Sequence, residues 1–174
     1  MSIHARLKEL EGTNPPIVER FVPAGRHPPK RRAYLLGQAK SEFQSAESAV
    51  NLLVGKGQIY NSLVRWTSGG LVHGNKRRGL FLDSLDPPPS DLWEVRVTEP
   101  IVQARFIGCF ADRDTLVLMR LHTRGFLGDK GSQAWSSAMA ACVADWSLHF
   151  PQHSIHSAPS IHDYVSENCD DFPI

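Results

Sequence analysis

Three cationic or titratable side chains stand at alternate positions near the end of one strand-like run: Arg120, His122 and Arg124 in residues 115–124, TLVLMRLHTR. Side chains alternate between the faces of a strand, so these three are expected beside Leu116 and Leu118, with Val117, Met119, Leu121 and Thr123 opposite. In Leu92–Val97 (LWEVRV) Glu94 and Arg96 share a face, and in residues 103–111 (QARFIGCFA) Arg105 stands with Ile107 and Cys109. If the apolar faces lie on helices, the other face gathers Arg96, Arg120, His122, Arg124 and Arg105. Arginine forks hold phosphate oxygens bidentately, and a histidine titrating near ~6.5 can move a proton. A second outcome fits the same residues: a solvated sheet face whose arginines pair with Glu94, Glu99, Asp112 and Asp114.

The elements that must position these groups are legible in part. The connections at 98–102, with Pro100, and at 112–114 are of hairpin length, so the three runs read as an antiparallel meander. A helix is expected over 133–149, where Trp135, Met139, Cys142, Trp146 and Phe150 recur at helical spacing, with Ser132 as N-cap and Pro151 as the stop. Upstream, Leu36, Ala39, Phe43, Ala46, Val50 and Leu53 predict a helix over 30–54, ended by Gly55 and Gly57. Lys30, Arg31 and Arg32 would oppose the dipole at its start, which suggests another use for them. Residues 17–22, between proline breakers, suit one short strand. Residues 59–66 fit a helix or a strand, and Pro87-Pro88-Pro89 a stiff spacer. The fold class is therefore α+β: helices on a twisted antiparallel meander over 30–151, after a Pro-rich segment (1–29) and before an acidic, His-rich tail (152–174).

The chain has 174 residues, of which 41% are apolar and 21% charged, enough for one buried core. No apolar run reaches the ~18 to 20 residues of a bilayer span, and the N-terminus lacks the apolar core of a secretory signal. Cys109, Cys142 and Cys169 make neither a disulfide framework nor a zinc spacing. A cytoplasmic, reduced, soluble protein without membrane contact is expected. The formal charge of +1 is unevenly spread: +4 over 1–61, +2 over 62–131 and −5 over 132–174, where no Lys or Arg occurs. Such a tail is either solvated or laid over a basic surface in competition with an anionic partner.

The LWEVRV run, with Leu92, Trp93, Glu94 and Arg96, resembles the L-W-E-[LV]-R strand of the RelE/ParE superfamily of bacterial toxins, and of its HigB-like members in particular. In that family a strand with an Arg near its start follows, here Ala104-Arg105-Phe106-Ile107-Gly108-Cys109-Phe110. A third apolar strand then runs into a basic segment, here 116–124, before a closing helix. The resemblance covers roughly residues 80–150, with 30–54 as the packing helix. It implies a small α+β domain and a toxin of a toxin–antitoxin pair. The implied activity is that of a metal-independent endoribonuclease (mRNA interferase) that cuts ribosome-bound mRNA and inhibits translation, with mRNA, the ribosome and a cognate antitoxin as partners and no cofactor. Cleavage through the ribose 2′-hydroxyl needs a base, phosphate neutralisation and an acid. Carried onto this chain, His122 is the acid/base, Arg120 and Arg124 are the clamps, and Arg96, Arg105 and Lys130 hold RNA. Some relatives bind gyrase and lack nuclease residues, so a non-catalytic binding or phage-derived regulatory protein is the alternative.

Lys76, Arg77 and Arg78 form a basic loop that is either solvated or a further RNA contact. His149, His153, His156 and His162 with Cys169 lack the framing of a metal site, and no metal is expected. Trp135 and Trp146 read as core anchors. No Gly-rich phosphate loop or nucleophile elbow occurs.

Overall fold

A computed structural model describes residues 1–25, 28–73, 81–85, 91–98 and 102–170. The basic loop Lys76-Arg77-Arg78, the triple proline and Glu99-Pro100 lie outside them. The elements are α1 (Ile3–Glu11), β1 (Val18–Arg20), β2 (Arg32–Leu36), α2 (Gly37–Gln44), a π-helical turn (Asn51–Gly55), α3 (Lys56–Thr67), β3 (Val72–His73) and β4 (Leu82–Ser84), followed by β5 (Leu92–Val97), β6 (Ala104–Asp112), β7 (Thr115–Thr123), α4 (Arg124–Leu127), α5 (Gln133–His149), α6 (Ile161–Tyr164) and β8 (Cys169–Asp170).

The expected meander is β5-β6-β7. It is the antiparallel part of a six-stranded mixed sheet ordered β1-β2-β7-β6-β5-β4, in which β2 runs parallel to β7. The class is α+β, with helices on both faces. On one face Ile59, Leu63 and Trp66 of α3 and Ile161 and Tyr164 of α6 pack with Leu35, Trp93, Phe106, Phe110 and Leu121. On the other, Leu7 and Leu10 of α1 and Trp135, Ala138, Cys142 and Trp146 of α5 pack with Tyr34, Ile107, Cys109, Val117 and Met119. Trp135 and Trp146 are thus core anchors, and truncating a core tryptophan costs about 3 to 5 kcal/mol.

The helix expected over 30–54 is corrected. Residues 32–36 are a strand buried on both sides: Ala33 and Leu35 face one core and Tyr34 and Leu36 the other. Such a strand reads as a continuous apolar run and mimics a helical stripe. Gly37, at φ +57°, turns the chain into α2, which ends at Ser45. Ala46 and Leu53 of the supposed stripe are exposed. The open segment at 59–66 is helical, inside α3. The tail is packed: Ile161, Tyr164 and Val165 are buried, and β8 pairs with β3.

A bulge corrects the expected faces of β7. Ile107 stands opposite Arg120 but Gly108 opposite Leu118, which leaves Met119 as the extra residue. Gly108 makes this possible, because a Cβ there would lie 2.0 Å from the Val117 carbonyl oxygen. Leu116 and Leu118 consequently face α3, whereas Arg120 shares the α5 face with Val117 and Met119.

Candidate functional site

The strands do bring three of the expected residues into register. Arg96 on β5 is opposite Arg105 on β6, which is opposite His122 on β7. Cross-strand neighbours on one face of a sheet stand ~4.5 to 5.5 Å apart at Cβ, so two arginines and a histidine form one row.

Carboxylates close that row. Glu94, only 1% exposed, puts Oε1 2.8 Å from Arg96 Nε and Oε2 3.0 Å from Arg105 Nε, the latter an ion contact with its N–H not aligned on the oxygen. Asp83 of β4, 2% exposed, takes the other side of Arg96 through its Oδ2 and holds Lys130 Nζ at 3.4 Å. Arg105 further donates to the Ala104 carbonyl at 2.9 Å and to Gln103 Oε1 at 3.0 Å. Burial lowers the Arg105 pKa, the Glu94 charge opposes this, and the nearby Arg96 and Arg124 lower it further. The cluster is an ion network of three cations and two buried carboxylates at the β4 edge of the sheet.

The end of β7 is arranged differently. Arg120 Nη1 lies 2.6 Å from Asp145 Oδ2 on α5 and 2.8 Å from its neighbour's carbonyl oxygen, that of Met119. Gly37 sits against this pair, where a Cβ would come within 2.9 Å of Asp145 Oδ2. β2 has already ended at Leu36, and the Gln38 side chain takes over its edge. Its Nε2 donates to the Leu121 carbonyl at 2.8 Å, and its Oε1 accepts from the Leu121 N–H at 2.7 Å. His122 stacks on Phe126 of α4 with ring centroids 4.7 Å apart and planes at 19°. Burial lowers the His122 pKa, the Arg120 charge lowers it further, and Glu42 opposes them. The imidazole is therefore neutral near pH 7.

Between α2, the end of β7 and α5 lies a groove of about 470 Å³, lined by Gln38, Arg120, His122, Phe126 and the α5 residues Gln133, Ala134, Ser137, Ala138 and Ala141. Phe126 is 63% exposed at its rim. Arg124 is the least committed cation of the set: its Nη2 is 3.9 Å from the exposed Asp129, and its guanidinium carbon lies 5.9 Å from the Trp135 ring centroid.

Arg96, Arg105 and Lys130 thus form one cluster, and Arg120 and His122 line the groove. The expectation of carboxylate pairing holds at Glu94. Asp112 instead holds His4, at 2.8 Å, and Asp114 faces Arg31, at 3.7 Å. Asp83, Asp145, Gln38 and Phe126 escaped sequence reasoning. Asp145 left one signal, as the sole Asp, Glu, Lys or Arg in the 17 residues of α5. Among the described residues no three His, Cys, Asp or Glu side chains converge as metal ligands. No helix among them is long and apolar enough to cross a membrane.

In comparisons with protein-family models, with curated proteins and with solved structures, nothing matches this chain.

Proposed function

We propose that this chain is a binding protein on a RelE/ParE-like toxin scaffold, acting by docking a protein partner rather than by cutting RNA. The order of the LWE-x-R strand, the Arg-bearing strand, the basic-ended strand and the closing helix α5 supports the scaffold. One observation carries the function: Arg96, Arg105 and Arg120 each hold an internal carboxylate at 3.0 Å or less. A phosphate clamp needs donors preorganised and free where charge develops. Here a phosphate would have to displace Glu94, Asp83 or Asp145. The groove beside His122 keeps an exposed aromatic, a neutral imidazole, glutamine amides and small helix side chains, chemistry suited to an apolar side chain from a protein partner.

A second reading, the endoribonuclease neutralised by an antitoxin and acting on ribosome-bound mRNA, is favoured by the row Arg96–Arg105–His122 and by the lowered His122 pKa, which leaves a base unprotonated at neutral pH. RNA binding separates the two. Full-length protein titrated against a labelled single-stranded RNA at ~0.15 M salt should give no saturable binding. Micromolar affinity that falls steeply with log salt, and is lost in Arg96→Gln/Arg124→Gln, would overturn the binding-protein reading.

A further inference from the structure

The three cysteines occupy contrasting environments. Cys109 of β6 and Cys142 of α5 are buried between the sheet and that helix; burial pushes the Cys109 thiol well up and the Cys142 thiol up to about 12. Both are chemically inert at neutral pH. Cys169 on β8 is partly exposed, and its Sγ lies 3.0 Å from Nδ1 of His162, an exposed residue of α6. A second contact, 3.5 Å to the Val165 carbonyl oxygen, holds the sulfur in place. Cysteine reactivity depends on thiolate, and an adjacent imidazole that accepts the thiol proton generates it.

A buried cation, Arg31, interacts with this sulfur by charge. Arg31, 1% exposed, is held by the Gly70 carbonyl at 2.8 Å and by the Glu167 carbonyl, and lies over Trp66 at 4.9 Å. Its buried Nε makes no hydrogen bond. Burial lowers the Arg31 pKa, and the charges of Asp114, Cys169 and Glu167 oppose this. A cavity of about 220 Å³ opens beside Arg31, lined also by Lys30, Gly69, Ser166 and Glu167. The backbone is anchored on both sides by Val72 N–H to the Asn168 carbonyl and by Asn168 Nδ2 to the Gly69 carbonyl, each 2.8 Å.

We propose that Cys169 and His162 form a reactive thiol–imidazole site that exchanges with small disulfides of the glutathione class. His162 Nδ1 takes the Sγ proton, and the thiolate attacks one sulfur of the disulfide. A Cys169–sulfur bond forms as the original sulfur–sulfur bond breaks. The departing thiolate then takes the proton from the imidazolium, so one thiol and one disulfide become one thiol and one mixed disulfide.

The test uses folded full-length protein with two probes, dianionic 5,5′-dithiobis(2-nitrobenzoate) and neutral 2,2′-dithiodipyridine, with the labelled residue identified by peptide mass. Both should label Cys169 alone at pH 7, about tenfold or more faster than free glutathione. His162→Gln, an exposed change that spares the fold, should remove most of that excess and move the rate–pH profile to that of a free thiol. Cys169→Ser should abolish labelling. A Cys169 no faster than glutathione, or a rate and profile unchanged in His162→Gln, overturns the proposal.

Discussion

Arg120 Nη1 lies 2.6 Å from Asp145 Oδ2, and this contact fastens α5 across the end of β7, at the arginine expected from the sequence to clamp phosphate. The β7 bulge creates the contact. Without Met119 as the extra residue, Arg120 would fall out of phase with the α5 face.

Asp145→Ala leaves the Arg120 cation, 14% exposed, without its counter-charge. The expected loss is about 2 to 3 kcal/mol, read from urea unfolding. Gly37→Ala should cost at least 1 to 2 kcal/mol by a different route, roughly the penalty for an L-residue at positive φ, with its Cβ set against Asp145. Asp145→Ala stability equal to wild type would show the pair to be incidental.

Glu94→Gln is expected to be more damaging. It leaves Arg105 and Arg96 facing each other inside the fold with only Asp83 to balance them. Removing one partner of a buried ion network costs roughly 3 to 5 kcal/mol. Glu94→Gln combined with Arg105→Met, which deletes the stranded charge, should recover part of the loss in a double-mutant cycle.

His122 gives a pH dependence of definite sign. Its folded-state pKa lies below the ordinary 6.5, so the folded protein binds fewer protons than the unfolded chain in that window. Stability therefore falls as pH drops below about 6.5, and the loss is complete once the folded-state value is passed. His122→Gln lacks this loss. The difference in melting temperature between wild type and His122→Gln, followed from pH 7.5 to 5, should change in that direction, and a constant difference would contradict it.

Arg31 ties the tail to the body through the Gly70 and Glu167 carbonyls. Arg31→Ala should expose residues 160–170 to limited proteolysis well before the core unfolds. Equal cleavage rates in variant and wild type would mean that the tail is held by Ile161, Tyr164 and Val165 alone.

The meander was readable because its apolar runs are long and are separated by short, polar or proline-bearing connections, and α5 because its apolar spacing, N-cap and terminal proline agree. β2 was unreadable for a physical reason: a strand buried on both faces carries no alternation, and Leu36, Ala39 and Phe43 happen to keep helical spacing across the Gly37 turn. The phase of Arg120 depends on a backbone approach at Gly108 that no residue pattern announces. The row Arg96–Arg105–His122 followed from alternation. Its pairing with Glu94 was legible too, but the second carboxylate on Arg96, Asp83 of β4, and the Asp145 of α5 that takes the neighbouring Arg120 meet these arginines only after folding.

The central claim, docking rather than RNA cleavage, is tested most directly by mapping 5′ ends of cellular RNA minutes after the protein is induced, beside an Arg120→Ala/His122→Ala variant confirmed to be folded. The account predicts no new ends within translated codons for either protein. New ends inside codons with the wild type, absent with the variant, would contradict it and place ribonuclease chemistry at the end of β7.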